Sequence, residues 1–319
     1  MPPALDLAAE APSDNPFIAR VDVPVAGGKL LVARAGPPVG SGVATVLALH
    51  GISASHVAYR TVARELGRRM RASLLAPDLR GRGRSAHLPP PFGLRAEIAD
   101  LLAVLDHAGA RRVVLVGHSS GAYLAARLAA EHPERIVSLV LLDAGLPAVT
   151  PPSDPDTMLE DVVGPALDRL HMRFASTEDY VAGWRAHPAF ARGWSADVEA
   201  YARYELVSDG RTVRCVVSEE AVRTDARDLL LDEATLTALN RVRAPVRLLG
   251  APRGLQDDDS PMLPRLLVRM FLADRPNVRF EEVPDVNHYT LVMGDSPGPA
   301  RVAAAIEAAA REASAASAA

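Results

Sequence analysis

Apolar residues in this chain gather in short, nearly continuous blocks, at 44–49, 113–116, 137–142 and 246–249, with Ser138 and Arg247 as the polar intrusions in the last two. Blocks of this length, apolar on successive positions, suit strands buried on both faces of a parallel sheet. Between them the period changes. Residues 57–70, 97–107 and 122–131 carry the apolar spacing of amphipathic helices, and a shorter strand fits 73–76. This alternation predicts an α/β chain with a wound, mostly parallel central sheet and helices on both faces. Ahead of it, residues 19–37 read as two strands joined at Ala26-Gly27-Gly28, where paired glycines allow a tight hairpin. A helix at 260–272, a last strand at 278–283 and an alanine-rich helix at 299–313 close the pattern, with the final Ser/Ala residues expected to fray.

The alternation is interrupted from about 145 to 240, where strand-like runs nearly vanish and helical periods dominate. The expected organisation is therefore a leader at 1–16, a core of 17–145 plus 241–319, and a helical insertion at 146–240 opened by a proline-rich linker at 147–155. The aromatic residues of the insertion, Phe174, Trp184, Phe190 and Trp194, either face a ligand or form the insertion's own small core. Residues 1–17 lack a basic start and an unbroken apolar stretch, so they read as a disordered leader rather than a secretory signal.

Composition narrows the function classes. The 319 residues are 49% hydrophobic and 23% charged, as expected of a soluble globular chain. Net charge is −4 with basic residues scattered, which argues against nucleic acid as a partner and against a polybasic membrane anchor. No apolar run approaches the roughly 20 residues that span a bilayer. Cys215 is the only cysteine, so no intrachain disulfide forms and the side chain reads as a small buried hydrophobe. A cytoplasmic location is the expectation.

Chemistry concentrates in Gly117-His118-Ser119-Ser120-Gly121, between the apolar block 113–116 and the helical stretch 122–131. A strand that reverses sharply into a helix strains the residue at the bend, and flanking glycines let the two elements approach. Ser119 is thus the candidate nucleophile. A serine hydroxyl needs a neighbouring base. His288, in Pro284-Asp285-Val286-Asn287-His288-Tyr289, follows the last predicted strand and should reach the sheet edge that carries Ser119, because parallel strands present their carboxyl ends on one side. His107 and His132 read as helix-surface and helix-end residues, His118 as the variable position of the serine motif, and His171 and His187 as insertion residues open to substrate contact. No histidine pair has zinc-site spacing, and no metal or organic cofactor is implied. Oxyanion donors are available in the backbone N–H of Ser120, heading the helix, and in that of Ile52 after His50-Gly51.

Together these residues resemble the α/β-hydrolase fold family, over nearly the whole chain. The strand-ending His-Gly, the Gly-x-Ser-x-Gly turn and the late histidine occur in the family's order, and Asp78-Leu79-Arg80-Gly81-Arg82-Gly83-Arg84-Ser85 is similar to its glycine- and arginine-rich loop, where the aspartate and arginine are expected to pair locally. The resemblance implies that the insertion is a lid. It also disfavours dehalogenase and epoxide hydrolase chemistry, which uses aspartate at the position of Ser119. The orienting carboxylate has two candidates. Family members usually place it shortly after the strand that here ends near Leu249, where the first acid is Asp257; some, lactonases among them, place it at the earlier strand end, here Asp143. Asp143 is favoured and Asp257 stays open. The expected activity is hydrolysis of an ester or lactone of a small, apolar substrate by Ser119, His288 and Asp143 through an acyl-enzyme. Amidase, peptidase, carbon–carbon hydrolase and perhydrolase chemistry, and a receptor-like ligand-binding role, are the alternatives; homo-oligomer formation is left open.

Overall fold

The computed structural model describes residues 14–147 and 154–318. Its order is β1 (Phe17–Val25), β2 (Gly28–Ala35), β3 (Ala44–Leu49), α1 (Arg60–Arg69), β4 (Ala72–Pro77), α2 (Leu94–His107), β5 (Val113–His118), α3 (Ser120–Glu131) and β6 (Ile136–Leu142). The insertion follows with α4 (Pro155–His171), α5 (Thr177–Ala186), α6 (Ala196–Tyr204), β7 (Leu206–Ser208), β8 (Val213–Cys215), α7 (Glu219–Leu231), α8 (Glu233–Leu236) and α9 (Ala238–Arg241). The chain then returns through β9 (Val246–Gly250), α10 (Arg265–Leu272), β10 (Val278–Glu282) and α11 (Gly298–Ala318).

Among the described residues, eight strands form one sheet in the order β1-β2-β4-β3-β5-β6-β9-β10. From β4 to β10 every pairing is parallel, while β1 and β2 are antiparallel to each other and β2 is antiparallel to β4. Successive residues of one strand enter opposite cores: Val114 and Val116 pack on the α1 and α11 side, Val113 and Leu115 on the α2 and α3 side. That two-sided burial is why the sequence blocks are continuous rather than alternating. The strand order runs one way from β3 to β4 and the other way from β3 to β5, so a crevice opens beyond the carboxyl ends of β3 and β5, where α/β sheets place ligands.

Among the described residues, five insertion α-helices begin on a polar cap: the side chains of Asp154, Ser176, Ser195, Ser218 and Asp232 accept from the N–H groups of Thr157, Asp179, Val198, Ala221 and Thr235. By contrast α2 starts at Gly93 with no cap of its own. Helix α7 supplies one from a distance: Asp225 accepts from Gly93 N–H at 2.9 Å and Asp228 from Leu94 N–H at 2.8 Å. The insertion is not wholly helical, since β7 and β8 form a two-stranded ribbon. Strands of three residues are too short to register as a period. Helix α10 starts at Arg265, later than expected, because Pro264 occupies its N-cap; α11 continues through Ala318 where fraying was expected. Most of the expected leader and linker lies outside the described residues.

Candidate active site

The turn between β5 and α3 holds Ser119 at φ 56° and ψ −127°, a conformation rare for a residue with a side chain and costing about 1–3 kcal/mol. Its surroundings enforce it. Ser119 N–H donates to Leu142 O at 3.0 Å and Ala122 N–H to Ser119 O at 2.9 Å. A Cβ on Gly117 would collide with the carbonyl of Gly121, and one on Gly121 with the carbonyls of Leu49 and His50. Only glycine at these two positions lets strand, helix and the end of β3 meet so closely.

His288 sits in the loop after β10, 3% exposed, and its Nδ1 lies 2.8 Å from Asp143 Oδ2. A carboxylate only accepts, so Nδ1 carries the proton and Nε2 is left as the basic nitrogen. Asp143, fully buried at the end of β6, is fixed twice more: its Oδ1 accepts from Ala251 N–H at 2.9 Å and its own N–H donates to Leu249 O at 2.7 Å. Asn287 pins the loop from the other side, accepting from Tyr289 and Thr290 N–H at 3.0 and 2.9 Å and donating to Ala189 O at 2.9 Å. Asp257 is turned elsewhere. Its carboxylate accepts from Arg253 Nε at 2.8 Å and Asn287 Nδ2 at 3.2 Å. The structure thus brings Asp143, not Asp257, to His288.

His118, the variable residue of the serine motif, joins the two halves. Its Nε2 donates to the His288 carbonyl at 2.9 Å and the two rings are 4.6 Å apart, so His288 stands beside the residue preceding Ser119. Burial, and after it the nearby His288, pushes His118 well below the usual histidine range, so it stays neutral. Sequence reasoning passed over it because a variable motif position shows no partner until the fold supplies one.

Ile52 follows β3 on the same rim, and Ser120 opens α3 next to Ser119. Among the described residues the Ile52 N–H has no hydrogen-bond acceptor. Its peptide plane is held by His50, whose Nε2 accepts from Leu79 N–H at 3.0 Å, forcing Nδ1–H to donate to Gly51 O at 2.8 Å. Complete burial lowers the His50 pKa to about 4, the neutral form that this bonding requires.

That shift carries a pH prediction. The unfolded chain protonates this imidazole below about 6.5 while the folded chain resists to about 4, so the contribution is present above 6.5 and lost as pH falls through that window. The loss is roughly 3 kcal/mol for His50, with His118 adding in the same direction. Urea-unfolding midpoints are expected to fall steeply between about pH 7 and about pH 4.5; a flat profile would contradict the assignment.

The loop 78–85 docks the insertion. Asp78 forms no ion pair with an arginine side chain of its loop, contrary to expectation: its carboxylate accepts from His56 Nδ1 at 2.8 Å, Arg84 N–H at 2.8 Å and Tyr204 O–H at 2.6 Å. Burial alone would raise its pKa, but His56 and Tyr204 hold it below the usual carboxylate range. Arg80 instead forks onto Asp100 of α2 at 2.7 and 2.9 Å, a buried pair, while the Asp78 carboxylate is already held by His56 and Tyr204. Ser218 N–H donates to Gly81 O at 2.8 Å. Of the insertion's aromatic residues, Trp184 and Phe190 are buried against each other and against Tyr289, next to His288, with ring centroids 5.6 to 5.9 Å apart; Trp194 packs on Phe190 and Phe174 on Tyr180. They form a core that extends to the histidine loop, the second of the two expectations.

Comparison with known proteins decides the family. A model described as "Alpha/beta hydrolase family" matches residues 46–305. This chain belongs to the α/β-hydrolase family. As such a hydrolase it is similar to "Lipase LipV" of Mycobacterium tuberculosis, 36% identical over 155 residues, 49% of this chain and 56% of the lipase. A "Putative non-heme haloperoxidase" of Mycobacterium phage D29 is 35% identical over 106 residues, 33% of this chain and 37% of that protein. The chain therefore spans about half or less of these curated relatives' length. Among solved structures, a thioesterase domain from the curacin biosynthetic pathway superposes with TM-score 0.71 at 21% identity, covering 91% of this hydrolase and 99% of the domain. The likeness to E-2-(acetamidomethylene)succinate hydrolase has TM-score 0.70 at 18% identity, covering 91% and 97%; both likenesses bear on the fold alone. No described helix is long and apolar enough to cross a membrane.

Proposed function

We propose that this α/β-hydrolase is a serine hydrolase that cleaves a carboxylic ester or lactone of a small substrate through an acyl-enzyme. The observation that carries the reading is the Asp143–His288 hydrogen bond of 2.8 Å beside the strained turn that presents Ser119. Ser119 attacks the carbonyl, His288 takes the proton and passes it to the leaving alkoxide, and His288 then activates the water that releases the acid. Asp143 orients the imidazole and stabilises its cation. The N–H groups of Ile52 and Ser120 receive the developing oxyanion.

The insertion acts as a lid, and the half-buried Tyr289 ring beside His288 favours an apolar acyl or alcohol group. The similarity to a lipase over half the chain supports ester over amide cleavage. The cytoplasm is the proposed compartment, on the sequence reading of residues 1–17. Profiling p-nitrophenyl esters, lactones and anilides of matched chain length tests the reading. Esters or lactones are expected to turn over by an order of magnitude or more above anilides; anilide preference would replace it with an amidase.

A further inference from the structure

Arg82 is one of the largest fully buried side chains of the protein, and its contacts lead from the insertion to the Ile52 backbone. Nε donates to Ile52 O at 2.8 Å and Nη1 to Arg80 O at 2.8 Å. Nη1 also lies 3.3 Å from Glu97 of α2, while Nη2 pairs with Asp225 of α7; the three side chains are only 2 to 4% exposed. The rest of Asp225 is committed to the start of α2, through Gly93 N–H at 2.9 Å. Helix α7 of the insertion, the first turn of α2 and the Ile52 loop therefore converge on one guanidinium.

We propose, resting on the ester-hydrolase reading above, that Arg82 is a positioning residue that sets the Ile52 oxyanion donor and ties its placement to the docking of helix α7. The backbone argument is direct. His50 fixes the peptide that contains the Ile52 N–H, by way of Gly51 O, and Arg82 fixes the next peptide, by way of Ile52 O. With the planes on both sides of the Ile52 Cα held, the N–H direction is set before any substrate arrives, which is the preorganisation that oxyanion stabilisation needs. A water-sized hollow of about 10 Å³ is lined by Ile52, Arg82, Glu97, Ser120 and Asp225 among others, so Arg82 and its acids border the same space as both donor residues. Lysine does not replace Arg82 there: one ammonium lacks the planar set of donors that serves the Ile52 carbonyl and the acids of two helices together. Burial, and after it Asp225, raises Glu97 well above the usual carboxylate range, while Asp225 of the insertion is the carboxylate set against Arg82 Nη2. The insertion thereby supplies the counterion of the group that holds the donor loop.

The test compares Arg82→Lys and Asp225→Asn with Asp100→Asn, which breaks an equally buried arginine pair that does not reach Ile52. Four quantities are measured on each: kcat and KM for an activated ester, the Ki of a trifluoromethyl ketone that forms a tetrahedral oxyanion on serine, and Tm. For Arg82→Lys, kcat is expected to fall about 10- to 100-fold with KM within about twofold, and Ki to rise by the same factor as kcat falls. Asp225→Asn is expected to shift both in the same direction by less. Asp100→Asn is expected to lower Tm and leave kcat and Ki within about twofold. Arg82→Lys and Asp225→Asn enzymes that lose Tm but keep kcat and Ki, as Asp100→Asn does, would overturn the inference and leave the ester-hydrolase reading standing. Should Arg82→Lys fail to fold, Asp225→Asn alone decides, by the same pairing of kcat with Ki. A wild-type protein with no Ser119-dependent ester turnover removes both.

Discussion

Replacing Ser119 with alanine is expected to lower the turnover of an activated ester by about 10⁶, and His288→Ala by a similar factor, because nucleophile and base act as one unit and the loss of either removes the acyl-enzyme route. The two changes are not additive: the double variant is expected to be no slower than about twofold below either single one. The residual rate then measures what the N–H groups of Ile52 and Ser120 and simple binding contribute without a nucleophile. Structure should survive the serine change. Ser119 owes its geometry to backbone bonds with Leu142 and Ala122, which alanine keeps, although the strained φ remains. Single-turnover kinetics with wild type and both variants, alongside Tm, checks the prediction, and a Ser119→Ala protein retaining more than about one per cent of the wild-type rate would remove Ser119 from the nucleophile's role.

The second large effect separates two aspartates. Asp143→Asn is expected to reduce kcat by about 10⁴, because an asparagine amide facing His288 Nδ1 favours the wrong tautomer and leaves the imidazolium without its counter-charge. Asp257→Asn is expected to change kcat by less than about threefold, since its carboxylate serves Arg253 and the side of the histidine loop rather than the imidazole. The stabilities should run differently. Asp257→Asn weakens a partly exposed ion pair worth about 1 kcal/mol or less, whereas Asp143 also accepts from Ala251 N–H in full burial. Parallel measurement of kcat and of urea midpoints for both variants distinguishes the roles, and a large kcat loss in Asp257→Asn with little in Asp143→Asn would reverse the assignment.

Strands β3, β5, β6 and β9 were legible in the sequence because burial on both faces demands apolar residues at consecutive positions, and no helix of comparable length needs that. The strained serine was legible too, since Gly117 and Gly121 flank it for reasons that are local to one turn. Asp143 was half legible: a carboxylate ending an apolar strand is conspicuous, but its bond to His288 joins residues that only the sheet brings together. Arg82, Asp225 and His118 were not legible as partners. Each is an ordinary polar residue within its own segment, and its meaning comes from a buried contact across many tens of residues, which no period or turn signal encodes. The same holds for the start of α2, whose caps belong to α7; the sequence near Gly93 contains no sign of them. Helix α10 was misjudged at its start because the pattern from Ser260 is apolar enough for a helix while Pro264 delays it.

The central claim, that Ser119 is an activated nucleophile, is tested most directly by treating the folded protein with a fluorophosphonate and locating the adduct by mass spectrometry. The account predicts a single adduct on Ser119, absent in Ser119→Ala and formed far more slowly in His288→Ala and Asp143→Asn. An unmodified Ser119 in folded wild-type protein, or an adduct on another serine, would contradict it.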